Sequence, residues 1–386
     1  MIHSSYIELD FKALKKNIHY LKKEIGDKVK FVSVIKGNAY GHGIQDYIPL
    51  AEACGISYFA VSDAYEAEIA NSVLSPKSEL MIMGMIDNEE LEWVIEKEIS
   101  FFVFDLDRLE AAIQIAKILK KKAKIQLEIE TGMNRTGFEN DELETSIELI
   151  QRNSVYLFLE GICTHYAGAE SIANYVRVNE QYDNFIRITK NINNMNLHAK
   201  YNHTASSASA LLYPHTRMDL VRIGIAQYGF WPTNETKMYK LYDGEVKMLR
   251  DPLKQILQWK TKIMSTKTVK PAKFISYGNS FLTTKTTKIA TIPIGYFHGF
   301  RRSLSNNGFV LINGRKAPVI GMVTMNMFIV DVSLIPNAKK GDEVVLIGKQ
   351  GKNKISVASF SELTNFVNYE LLSRLPAEIP RVIINR

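Results

Sequence analysis

The chain has 386 residues, too many for one ordinary domain, and this length favours two. Hydrophobic residues make up 46% and charged residues 23%, an ordinary soluble balance, and no apolar run reaches the roughly 18 residues that span a bilayer. The net charge of +7 is scattered, with short clusters such as Lys120–Lys122 and no recognition motif, which argues against nucleic acid as a partner.

The N-terminal stretch MIHSSYIELDFKALKKNI lacks the basic segment and apolar core of a signal peptide, so a cytoplasmic protein without a membrane partner is expected. The first helical pattern follows Asp10, a candidate N-cap, with Phe11, Leu14, Ile18 and Leu21 on one face. Strand-like runs come next at Lys30–Ile35, Ser57–Val61, Glu79–Gly84 and Ile99–Phe104. Four more lie at Lys124–Glu130, Val155–Cys163, His198–His203 and Asp219–Ile223. Helical patterns at Asp63–Val73, Asn88–Glu98 and Leu106–Lys122 separate some of them. Eight apolar strands alternating with helices predict an α/β fold, a (β/α)8 barrel over residues 1–240, with a doubly wound sheet as the alternative. The polar stretch Pro232–Asp251 reads as irregular and marks the boundary. Beyond it, β patterns at Gln258–Val269, Thr287–Ile294, Phe309–Ile312, Phe328–Val332 and Glu343–Ile347 predict a mainly β domain over residues 241–386. Short helices are expected near Ser359–Asn365 and Asn368–Arg374. Cys54 and Cys163 are far apart in sequence, so neither a disulfide framework nor a metal site is expected.

Catalytic groups of such barrels sit at the C-terminal ends of the strands. Lys36 follows the first barrel strand and Arg135 the fifth. His165 ends the sixth, His203 the seventh, and Arg222 lies near the end of the eighth. Cations converging on one rim point to an anionic ligand. Lys36 stands in VIKGNAYGHG, residues 34–43. A lysine directly after an apolar strand is partly desolvated, which lowers its pKa and frees the amine for imine chemistry.

This decapeptide resembles the pyridoxal-phosphate lysine signature of the alanine racemases, roughly V-x-K-A-N-A-Y-G-H-G, with Gly37 in place of alanine. Further matching motifs follow the same order: Ile7-Glu8-Leu9-Asp10, Thr131-Gly132-Met133-Asn134-Arg135, Thr164-His165, Arg222-Ile223-Gly224-Ile225, Ser276-Tyr277-Gly278 and Ile292-Pro293-Ile294-Gly295-Tyr296. The resemblance spans essentially the whole chain. It implies a pyridoxal-phosphate barrel followed by a β domain, in a homodimer whose sites are shared between subunits. It also implies interconversion of L- and D-alanine, supplying D-alanine for peptidoglycan.

The resemblance assigns roles residue by residue. Lys36 carries pyridoxal 5'-phosphate as a Schiff base and is the base on one face of the substrate. Tyr277 is the acid/base on the other; an unperturbed tyrosine, with a pKa of about 10, needs positive charge nearby to serve near neutrality. Arg222 contacts the pyridine nitrogen and, with His165, supports the tyrosine. Tyr40, Ser207, Gly224 and Ile225 hold the phosphate, the last two through backbone N–H groups. Arg135 lies near the substrate carboxylate, with Met325 and Asn326 beside the substrate, while Tyr296 lines the entrance.

The chain departs from the family at several of these places. Glu128 stands where a lysine, often carbamylated, is common, and can itself supply the negative partner of Arg135. Asn326 replaces an aspartate, His298 an acidic residue, Ser206 an asparagine and Ala377 a pocket tyrosine. These changes leave substrate choice open. A racemase preferring serine or another small amino acid, a non-catalytic pyridoxal-phosphate protein and a diamino-acid decarboxylase are the other readings.

Overall fold

A strand, β1 (Ser5–Asp10), and a helix, Phe11–Ile25, open the chain. The helix buries Ala13, Leu14, Ile18, Leu21 and Ile25, the face that three- and four-residue spacing predicts. The computed structural model describes residues 3–243, 250–357 and 368–386. Its backbone divides into two units.

One unit, Ala13–Lys36 with Tyr47–Lys254, contains the barrel. Its strands are β2 (Lys30–Val34), β3 (Tyr58–Val61), β4 (Glu79–Ile82), β5 (Ser100–Val103), β6 (Ala123–Glu128), β7 (Leu157–Cys163), β8 (Tyr201–His203) and β9 (Leu220–Ile223). All pair in parallel, in the order β8-β7-β6-β5-β4-β3-β2-β9. The seam between β8 and β9 is closed by Asp219 N–H to the Asn202 carbonyl at 3.1 Å and Arg222 N–H to the Ala205 carbonyl at 2.9 Å. Near-continuous burial, complete along β3, β5 and β9, is what a sheet covered on both faces requires. The eight strands fall inside or beside the expected runs. β8 is the shortest, because His198 and Ala199 still belong to the turn after the helix Tyr175–Asn194, where Asn196 has φ 61°.

Helices cover the strands. Asp63 and Asp105 cap Ala64–Asn71 and Leu106–Leu119 by accepting the N–H groups of Glu66 and Arg108, each at 2.9 Å. The helix expected over Asn88–Glu98 divides into a tight turn, Asn88–Glu90, and a helix, Leu91–Glu96. Pro232–Asp251 is not wholly irregular: Thr233 accepts the Thr236 N–H at 3.1 Å and starts a helix, Asn234–Met238, continued by a wider turn, Tyr239–Asp243.

The second unit comprises Met1–Lys12, Gly37–Asp46 and Gln255–Arg386. Its strands are β10 (Leu257–Lys262), β11 (Ser265–Val269), β12 (Thr287–Ile292), β13 (Phe309–Ile312), β14 (Arg315–Pro318), β15 (Phe328–Asp331), β16 (Glu343–Gln350), β17 (Asn353–Ile355) and β18 (Arg381–Ile384). One sheet runs β14-β13-β16-β10-β1-β18 with β17 on β16, and a second runs β11-β12-β15. The single strand expected over Gln258–Val269 breaks at Ile263–Met264, and its halves join different sheets. The later helix appears as Asn368–Ser373, while the one expected near Ser359–Asn365 lies outside the described residues. Among the described residues no helix is long and apolar enough to cross a membrane.

Candidate active site

Lys36 follows Ile35 at the end of β2. Its side chain keeps exposed surface at the barrel mouth, yet the amine is enclosed enough to be affected by its surroundings. Desolvation first, then Arg135 and Arg222, lower its pKa, with Glu66 opposing. The next four residues form a left-handed turn: φ is 64° at Gly37, 52° at Asn38, 53° at Ala39 and 52° at Tyr40. The Gly41 N–H reaches the Gly37 carbonyl at 2.9 Å, and the His42 ring Nδ1 lies 2.9 Å from the carbonyls of Ala39 and Tyr40. Burial pushes His42 down to about 3, so its neutral ring can donate Nδ1–H to those carbonyls.

Arg222, within β9, is buried inside the barrel. One terminal nitrogen bonds His203 Nδ1 and the His203 carbonyl; the other bonds the carbonyls of Thr164 at 2.7 Å and Thr204 at 3.1 Å. No carboxylate joins them, and among the described residues the Nε–H meets no hydrogen-bond acceptor. Burial lowers the proton affinity of the guanidinium. His203, expected at the rim, is instead fully buried beneath Arg222, where burial and then Arg222 hold its pKa well below the usual range. His165, just beyond β7, is pushed down to about 3 by burial, Arg222, Arg135 and Lys36. It makes no hydrogen bond to Arg222. The neutral ring of His165 therefore lies in the positive field of Lys36, Arg135 and Arg222.

Arg135 is exposed in the turn after β6. The Glu130 carboxylate ties that turn together by accepting the N–H groups of Gly132, Met133 and Arg135. Glu128 does not form the expected ion pair with Arg135: its buried carboxylate accepts from Thr136 Oγ1 at 2.9 Å. Burial raises the Glu128 pKa, opposed by Thr136, Arg135 and Arg222. The shorter side chain acts on Arg135 through its field only.

Ser207 opens the helix Ser207–Leu212, and its Oγ accepts the Gly224 N–H at 2.9 Å. The Gly224 amide is thus occupied, while the Ser207 hydroxyl keeps its own proton to donate. Ile225 opens a tight turn, Ile225–Tyr228, whose first N–H groups have no acceptor within the turn. Ser206, in the asparagine position, turns inward, with its backbone N–H on Ser209 Oγ at 2.8 Å.

The remaining candidates lie in the second unit. Tyr40 is buried, 6.0 Å from the Tyr369 ring centroid. Tyr277 is 75% exposed in a bend held by Ser276 Oγ on the Met322 carbonyl at 2.9 Å. Tyr296 opens a turn, Tyr296–His298, docked by its N–H on the Thr324 carbonyl and by Phe297 N–H on the Met325 carbonyl. These bonds gather Tyr277, Tyr296, Met325 and Asn326 into one exposed region. His298 Nδ1 accepts the Gly295 N–H at 3.2 Å, a role a carboxylate could also fill. Ala377 is exposed, its carbonyl bound by Arg381 at 2.8 Å.

A parallel barrel with a lysine of lowered pKa at the end of its first strand, close to further cations, is an arrangement suited to a small anionic ligand. The residues fit pyridoxal phosphate: an amine ready to form an imine, a hydroxyl and an open turn for the phosphate, and a free guanidinium Nε–H for the ring nitrogen. Among the described residues no cluster could hold a metal ion.

The family models for the alanine racemase N-terminal and C-terminal domains match residues 9–232 and 256–383. Alanine racemase of Leptospira interrogans is 32% identical over 386 residues, covering 99% of this chain and 96% of its own. The crystal structure of the Bacillus anthracis alanine racemase with bound L-Ala-P superposes with a TM-score of 0.90 at 28% identity, over 100% of this chain and 96% of that one. The Bartonella henselae alanine racemase, solved with covalently bound pyridoxal phosphate, gives a TM-score of 0.83 at 25% identity, over 99% and 100%. The chain belongs to the alanine racemase family.

Proposed function

We propose that this chain is a pyridoxal-phosphate-dependent alanine racemase, interconverting L- and D-alanine by two-base proton transfer and supplying D-alanine for peptidoglycan. The observation that carries this reading is Lys36 at the end of β2, its pKa lowered by desolvation, Arg135 and Arg222. When bound, pyridoxal phosphate withdraws electrons from the substrate's α-carbon and makes its proton removable. Lys36 anchors the group and, once freed, holds or gives a proton at Nζ on one face of the substrate. Tyr277 does so at its hydroxyl on the other. Arg222 would hold the ring nitrogen through its Nε–H and, as a guanidinium, would not pass its proton on. Ser207, Tyr40 and the N–H groups of Gly224 and Ile225 orient the phosphate, with Gly224 exchanging its Ser207 bond if it does so. Arg135 draws in the substrate carboxylate, and His165, kept neutral by burial and the neighbouring cations, stands beside it. Met325 and Asn326 bound the substrate from a second copy of the chain.

Borohydride should fix the cofactor on its lysine as a secondary amine, and peptide mass spectrometry should find it on Lys36. Chiral analysis of products from separate L-amino acids should show D-alanine formed fastest. Fixation on another lysine overturns the site, and faster conversion of serine moves the substrate to the alternative reading.

A further inference from the structure

The barrel interior holds a run of buried polar side chains that the chemistry above does not use. Arg222 bonds His203 Nδ1. His203 Nε2 lies 2.9 Å from Gln126 Oε1. Gln126 Nε2 donates to Glu160 Oε2 at 2.8 Å and to Ser100 Oγ at 2.9 Å, and Tyr58 donates to the same Glu160 oxygen at 2.7 Å. Tyr58, Ser100, Gln126, Glu160 and His203 are all buried.

The direction of this run is fixed by chemistry. A carboxylate only accepts, so Gln126 must turn its NH2 toward Glu160. The reversed amide would set oxygen against oxygen at the same short distance. Gln126 Oε1 must then accept from His203, which puts the histidine proton on Nε2 and leaves a lone pair on Nδ1. A guanidinium can donate only to such a lone pair. Every proton in the run points from Arg222 toward Glu160.

The backbone is shaped for this contact. The ladder between β6 and β7 shifts register: Ile125 pairs with Leu159, but Gln126 pairs with Gly161. Glu160 is the extra residue of that bulge, free to turn into the barrel. A Cβ on Gly161 would lie 1.9 Å from Gln126 Oε1 and 3.0 Å from His203 Nε2, so only glycine leaves the Gln126–His203 bond its space.

We propose that Glu160, acting through Gln126, is a positioning residue for Arg222: it fixes His203 as the Nε2–H tautomer, whose Nδ1 lone pair receives the guanidinium and holds it in place. Without that lone pair a buried guanidinium N–H of Arg222 would face another donor, a costly arrangement. The role in catalysis rests on Arg222 facing the cofactor, as proposed above; the tautomer itself does not.

Nitrogen NMR on histidine-labelled holoenzyme tests this, with the His203 signal assigned by its loss in His203→Asn. In the wild type at neutral pH, His203 should carry its proton on Nε2 only. A proton on Nδ1 overturns the proposal without any variant. Glu160→Gln keeps the shape but lets the amide of Gln126 turn over. It should mix the His203 tautomers and lower kcat about tenfold, the scale on which outer partners of a functional histidine act, with KM for alanine little changed. Gly161→Ala should give the same signature by displacing the Gln126 amide. An unchanged tautomer and kcat in folded Glu160→Gln overturns the relay. A wild type that neither binds pyridoxal phosphate nor racemises alanine overturns the function instead, and the tautomer still decides the relay.

Discussion

Glu128 shows how one side chain can keep a charge and lose a contact. The family that the sequence resembles commonly carries a carbamylated lysine there, long enough to meet the arginine in the turn beyond. The Glu128 carboxylate stops at Thr136, and Arg135 is oriented through its backbone by Glu130. Glu128→Lys would set another cation beside Lys36, Arg135 and Arg222, a change of two charges worth a few kcal/mol at an effective dielectric near ~20. Its kcat/KM should fall at least about tenfold, since about 1.4 kcal/mol is a factor of ten, and bicarbonate should restore it by forming the carbamate. Glu128→Gln keeps the Thr136 bond and removes one charge instead of reversing it, so it should lose about half as much free energy, at least about threefold in kcat/KM. Steady-state kinetics with and without bicarbonate decide; indifference of Glu128→Lys to bicarbonate removes the link to a carbamate. The cations of this site were legible because each lies within or just after an apolar strand in a barrel pattern. Tyr277 was legible only by resemblance, since an exposed tyrosine in a bend has no local signature. Glu160 and Gln126 were not legible: their partners lie in other strands, and only a charge inside the apolar run Val155–Cys163 hinted at them.

Among the elements, the left-handed turn after β2 is the least ordinary. Each residue with a Cβ in that conformation costs about 1–2 kcal/mol, and Asn38, Ala39 and Tyr40 all adopt it. Gly37 shares the conformation without that cost. The His42 ring offers two carbonyls of the turn a donor, which helps to hold it. Gly37→Ala, which restores the residue common in the family, should therefore destabilise the chain by about 1 kcal/mol after the gain from a stiffer unfolded chain is subtracted. Urea unfolding measures it, and an increase in stability would mean that the turn relaxes. No sequence pattern announced this turn, because left-handed helical segments have no periodic signal. The barrel strands were legible for the opposite reason: burial on both faces writes continuous apolar runs. In the second unit, β1 and β18 pair across almost the whole chain, and Arg315–Pro318 is polar with a proline, so hydrophobicity alone did not mark them. The break at Ile263–Met264 was hidden because neither glycine nor proline stands there to mark a turn.

For the whole molecule, Lys36 belongs to the barrel unit and Tyr277 to the β unit. Tyr277 and Phe297 are 75% and 68% exposed, and Met325, Met327 and Tyr296 are exposed around them. Backbone bonds from Tyr296 and Phe297 to Thr324 and Met325 make these one region, and apolar surface of this kind is normally covered by a partner. A second copy of the chain is the partner the family implies, bringing Tyr277 to the barrel of its neighbour. In such a two-fold assembly, Lys36→Ala and Tyr277→Phe chains are each inactive as homodimers. Mixed in equal amounts and allowed to exchange, half of the dimers are hybrids, and each hybrid has one intact site and one doubly altered site. The mixture should recover about a quarter of the wild-type racemase activity. Activity should rise with the rate of exchange measured independently by mass spectrometry of differently tagged chains. If exchange is complete and no activity returns, Lys36 and Tyr277 of one chain serve the same site, and the exposed aromatic region must have another partner.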